Sequence, residues 1–233
     1  MPVLTPSHGE NNFSETGNDH CTAAKGYLTT TQLGRLEEAD RAFTVQRMFE
    51  LAEAYQFPSS VPELATQYLD NLLREKPVRK VAILELVGAV CLNIAAKFEL
   101  GEFWTPAALA VMLGSEYQAW QVNEVEMYLL QVLGWNLDQP TPSKTFSFLD
   151  LRVSPEISNH LDFYVKFSLV DYECSQHETN LIAAGAFSCA TEDSWLSDEP
   201  FSVDWLESAF DVSQASLHTF TRLLRRKTQS GLR

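Results

Sequence analysis

The chain has 233 residues, with 17 Lys+Arg against 31 Asp+Glu and a formal net charge of −14. That acidity sets nucleic acid aside as a partner, since phosphate backbones would be repelled, and favours a protein partner with a basic surface. A hydrophobic share of 45% and an aromatic share of 11% supply a proper core and exclude global disorder.

Residues 1–34 are rich in Thr, Ser, Gly and Asn and predict a flexible N-terminal tail. They lack the apolar segment of a signal peptide. The four cysteines, Cys21, Cys91, Cys174 and Cys189, show no framework spacing, so the sequence reads as intracellular and reduced, in nucleus or cytoplasm. Helices then follow one another. Val45, Met48, Phe49, Ala52 and Tyr55 recur at the spacing of one apolar face. Pro58 ends that helix, and Ser60 is placed to cap a second one carrying Leu64, Tyr68, Leu69, Leu72 and Leu73. Pro77 breaks it. Residues 85–99, ELVGAVCLNIAAKFE, are apolar on nearly every side, which predicts a helix buried all round, with Leu86 and Gly88 in its core. The run is too short, and too closely flanked by charge, to span a bilayer.

Thr105-Pro106 marks the start of a short helix holding Leu109, Val111 and Met112. A fifth helix over about 118–133 carries Val122, Val125, Leu129, Val132 and Leu133. Pro140-Thr141-Pro142 then interrupts the pattern, and it begins again. Thr141 caps a helix with Phe146, Phe148 and Leu149, and Ser154-Pro155 starts one reaching about Asp171. The run NLIAAGAFSCATED (180–193) echoes the first buried helix, pairing Leu86 with Leu181, Val87 with Ile182 and Leu92 with Phe187 at a constant offset. Helices near 203–210 and 214–226 close the second unit. No period-two strand pattern appears. The fold expected is all-α, two tandem five-helix repeats, each around a buried central helix: 35–139 and 140–228, with a short tail at 229–233.

In order and spacing, RAFTVQRMFELAEAYQF, YLDNLL, LELVGAVCLNIAAKFE, EVEMYLLQVLGWNL and PTPSKTFSFL resemble a cyclin of the cell-cycle type. The resemblance is to a small divergent member, J-like or virus-encoded. It covers about residues 37–150 well, and 168–187 resemble the start of a cyclin's second repeat. Five diagnostic positions of the family are matched by Arg41, Asp70, Leu86, Lys97 and Glu126. The resemblance implies a non-enzymatic regulatory subunit that forms a heterodimer with a cyclin-dependent protein kinase and activates it. It implies that Arg41 and Asp70 pair to tie the first two helices, and that Lys97 and Glu126 grip the kinase. Apolar neighbours Phe98, Leu129, Leu133 and Leu137 are the candidates for most of the binding energy, which concentrates in a few large side chains. Kinase substrates or inhibitors are further partners of such proteins. Here the family's hydrophobic substrate-docking patch is degenerate: Phe43 remains apolar, but Asp40, Thr44, Arg47 and Glu85 stand where methionine, leucine, tryptophan and glutamine are usual. The alternative reading is a transcription-type cyclin or a cyclin-fold adaptor.

Cys174 and His177 have a metal-like spacing, but no second pair of ligands accompanies them, so neither metal nor cofactor is expected. No phosphate loop or nucleophile elbow appears. Arg222, Arg225, Arg226 and Lys227 make a short basic end that reads as a solvated helix terminus, or at most a weak nuclear-import patch.

Overall fold

The computed structural model describes residues 26–78, 80–101, 104–114, 117–151, 153–193 and 203–231. Among them are eleven helices and no strand: α1 (Glu38–Ala54), α2 (Ser60–Glu75), α3 (Ile83–Leu100), α4 (Pro106–Met112), α5 (Ala119–Val132), α6 (Pro142–Phe148), α7 (Pro155–Val170), α8 (Tyr172–Ser175), α9 (Thr179–Asp193), α10 (Val203–Phe210) and α11 (Gln214–Gly231). No helix among the described residues is long and apolar enough to cross a membrane.

The two runs apolar on every side become the two central helices. In α3, Leu84, Leu86, Val87, Val90, Cys91, Leu92 and Ile94 are all buried, with α1, α2 and α5 packed around them. Gly88 allows the closest crossing: a Cβ there would stand 2.6 Å from Thr44 Cγ2 of α1. Asn93, the polar residue inside that run, is fully buried and tied to the next loop. Trp104 N–H donates to its Oδ1 at 2.8 Å, and its Nδ2 donates to Trp104 O at 3.2 Å. In the second unit α9 is encased by α6, α7, α10 and α11, and the Phe220 ring of α11 lies against Gly185.

Proline and a preceding hydroxyl start three helices as the sequence predicts. Thr105 Oγ1 accepts from Ala108 N, Thr141 Oγ1 from Lys144 N and Ser154 Oγ from Ile157 N. Ser60 differs from expectation. It is the first helical residue of α2, and the preceding Ser59 makes no side-chain cap. The short α8, capped by Asp171 Oδ1 accepting from Cys174 N at 2.9 Å, has too few residues to leave a periodic signal. Val111 and Phe148, expected on apolar faces, are exposed.

Both expected tails need correction. Residues 1–25 lie outside the described residues, but 26–34 are docked rather than loose. Tyr27, Leu28 and Gln32 are buried, and the Gln32 amide donates to Leu73 O and Lys76 O while its carbonyl accepts from Val78 N. At the other end α11 runs through 229–231, and 232–233 lie outside the described residues.

The two units meet at Arg41. Its Nε and Nη2 donate to Asp70 Oδ1 and Oδ2 at 2.8 and 2.7 Å, while Nη1 reaches Leu169 O and Val170 O of α7 at 2.9 and 3.1 Å. Tyr27 Oη donates to Asp70 Oδ1 at 2.7 Å, and Tyr172 Oη accepts from Leu28 N at 3.1 Å. Burial alone would lower the Arg41 pKa, but the Asp70 carboxylate more than offsets it, so the guanidinium stays charged.

Candidate binding surface

The last turn of α3 carries Lys97, Phe98 and Glu99 to the surface. The helix stops there because Gly101 takes the left-handed conformation (φ 71°) and its N–H closes on Lys97 O at 3.1 Å. Lys97 Nζ lies 2.6 Å from Glu126 Oε1 of α5, their side chains 32% and 18% exposed. The last turn of α3 is therefore pinned to the middle of α5 by a pair that still faces solvent. Phe98 stands beside it, 43% exposed. Glu99 turns the other way, to Lys144 of α6 at 2.9 Å.

Sequence reasoning placed two of the apolar candidates wrongly. Leu129 and Leu133 are buried in the core against the rest of the first repeat and offer no side chain to a partner. Their 3.6-residue spacing with Val122 and Val125 marks the inward face of α5, which is why they pattern together. Leu137 is half-buried; its carbonyl accepts from Tyr68 Oη at 2.7 Å. The outward face of α5 instead carries Trp120, Met127 and Tyr128, all exposed. Beyond it stands Trp135, 62% exposed at φ 60°, directly after Gly134 at φ 58°. A bulky residue in that region is strained, and such strain is retained at working sites. The signal available in the sequence was large apolar residues off the inward stripe of α5, followed by Gly-Trp past its end.

A second concavity lies between α1, α3 and α4. It is a groove of about 460 Å³ whose lining includes Phe43, Thr44, Arg47, Glu85, Gly88 and Met112. The polar replacements of the degenerate patch are less obstructive there than their identities imply. Thr44 is buried and spends its hydroxyl on Asp40 O at 2.9 Å, and Arg47 is turned to Glu50 at 2.7 Å. Phe43 is exposed at the rim.

The other charged and metal-like features have structural partners. Arg225 pairs with Glu192 and Asp193, and Lys227 with Asp171 and Glu173, so the basic end of α11 is largely neutralised by α8, α9 and the turn before α8. His177 packs edge-on against Phe220 at 4.9 Å, and burial lowers its pKa. Among the described residues no group of three His, Cys, Asp or Glu could hold a metal ion.

Comparison with known proteins bears on the family and the fold. The family model for the cyclin N-terminal domain matches residues 11–138. A G2/mitotic-specific cyclin-B2 of Rana japonica is 27% identical over 159 residues, 66% of this chain and 40% of that protein. A G1/S-specific cyclin-D1 of Homo sapiens is 27% identical over 178 residues, 74% of this chain and 60% of that protein. This chain thus spans less than two thirds of the length of these relatives. The crystal structure of a viral cyclin from herpesvirus saimiri superposes with a TM-score of 0.71 at 18% identity, covering 83% of this chain and 86% of that one, which speaks to the fold alone. With more than half its length inside the family's N-terminal domain and its helices in the family's arrangement, the chain belongs to the cyclin family.

Proposed function

We propose that this chain is the regulatory subunit of a cyclin-dependent protein kinase in cell-cycle control, and that it binds and activates the kinase through the end of α3 and the outer face of α5. The observation that carries this reading is the Lys97–Glu126 pair held at the surface by two rigid helices, beside the exposed ring of Phe98. An ammonium and a carboxylate offer donors and acceptors to a partner's backbone, and exposed aromatic side chains supply the apolar anchors of an interface. Cyclins contribute no reacting group. The action is a population shift: a surface that fits the inward position of the kinase's mobile helix binds the active conformation better than the inactive one. Holding that helix in place completes the lysine–glutamate pair that positions the ATP phosphates.

The test is to mix the purified chain with a panel of monomeric cyclin-dependent kinases and measure binding and histone phosphorylation. At least one kinase is expected to bind and gain activity. Lys97→Ala with Glu126→Ala should lower both while the helical circular dichroism is unchanged. Retained pull-down and activation by the folded double variant would sink this assignment. Failure of every kinase in the panel would favour the cyclin-fold adaptor.

A further inference from the structure

The kinase-binding reading of this surface leaves one charged residue unused. Lys144 lies on α6, the first helix of the second repeat, where Thr141 Oγ1 accepts its N–H at 3.3 Å. Its side chain crosses to the first repeat. Nζ lies 2.9 Å from Glu99 Oε1, 2.8 Å from Asp138 Oδ1 and 3.4 Å from Gln139 O, and 5.5 Å from the centre of the Phe98 ring. We propose that Lys144 is a positioning residue of the kinase-facing surface, holding Phe98 and the last turn of α3 in the orientation that a partner meets.

Three observations support it. Phe98 lies between two residues tied to different helices, Lys97 to α5 and Glu99 to α6, so the backbone on both sides of the ring is fixed. The ring itself, being partly exposed, is further held by the ammonium over its face, an attraction that depends on the charge. The platform under Lys144 is rigid as well: Tyr68 Oη holds Leu137 O at 2.7 Å, and Asn71 Nδ2 donates to Gln139 Oε1 at 2.9 Å. Partial burial pulls the Lys144 pKa down, but its bonds to Asp138 and Glu99 outweigh this, and the charge persists. A ring ordered before binding has less freedom left to lose when the partner arrives. The second repeat thereby acts on the kinase surface without supplying a contact of its own.

The test uses the full chain and the kinase that binds best in the panel above. Lys144→Met keeps the length of the side chain and removes its charge; it should weaken binding about threefold to tenfold. The melting midpoint should fall by about 4 °C at most, the loss of a partly exposed ion pair, and the turnover of the saturated complex should stay as in the parent. Lys144→Arg should restore affinity. In a Phe98→Ala background, Lys144→Met should cost nothing further, because its effect passes through the ring. Unchanged affinity of Lys144→Met overturns the proposal, and so does a full additional loss in the Phe98→Ala background. If Phe98→Ala and the Lys97/Glu126 double variant themselves bind normally, the surface has been misassigned and this inference falls with it.

Discussion

Arg41 keeps its charge in the core because Asp70 neutralises it and two backbone carbonyls of α7 occupy its remaining side. Arg41→Met would leave the Asp70 carboxylate buried with Tyr27 Oη as its one donor among the described residues, at a cost of about 3–5 kcal/mol. Urea denaturation should show that loss, and Arg41→Met with Asp70→Leu should lose less than the two single changes together. Gly88→Ala has a different cause. A methyl group would meet Thr44 Cγ2 and force α1 off α3, costing about 1–3 kcal/mol in the same assay. Gly88 was visible as a glycine inside an apolar run, whereas Arg41 stood out only through the family resemblance. Trp135 was visible in neither way. Its exposure follows from a left-handed turn at Gly134-Trp135 that no helical periodicity reports. Leu129 and Leu133 failed as surface candidates for the converse reason: periodicity finds the inward face and says nothing of the outward one.

Helix α6 is held to α2 by a carboxylate in place of a salt bridge. Glu63 is buried, and its oxygens accept from Ser143 N at 2.9 Å and Ser143 Oγ at 2.6 Å. Burial pushes its pKa from 4.5 up to about 7, against the hydrogen bonds of Ser143 and Thr141, and the charge of Asp162 on α7 adds to the rise. In the fold Glu63 therefore holds a proton at pH values where the unfolded chain has released it. Its contribution is fully present below about pH 4.5 and is lost as pH rises to about 7. Glu63→Gln should remove about 3 kcal/mol of pH-dependent difference across that window. The check is denaturant unfolding of both proteins from pH 5 to 8; parallel stability curves would contradict it. The helices themselves were largely legible, because Thr-Pro and Ser-Pro pairs mark their starts. The link between α2 and α6 was not, since Glu63 and Ser143 lie far apart in the chain and meet only through the packing.

The molecule is a duplicated unit by pattern, and the echo of α3 in α9 carries this in the sequence itself. Its two halves are not energetically separate. Arg41, Glu63 and Lys144 each bond across the boundary, and Leu28 N–H donates to Tyr172 Oη. Scanning calorimetry should accordingly give one cooperative transition, and a fragment of residues 26–139 should melt below the whole chain; two resolved transitions would refute this. The docked segment at 26–36 has a consequence for how the chain is made. Leu28 and Tyr172 are 144 positions apart. At about 5–20 residues per second, the ribosome needs roughly 7–29 seconds to deliver the second after the first. Until then the Arg41–Asp70 pair has neither of its tyrosine neighbours fully in place nor the carbonyls of α7. The nascent first half must wait, incompletely closed, for a seal that only the second half can bring.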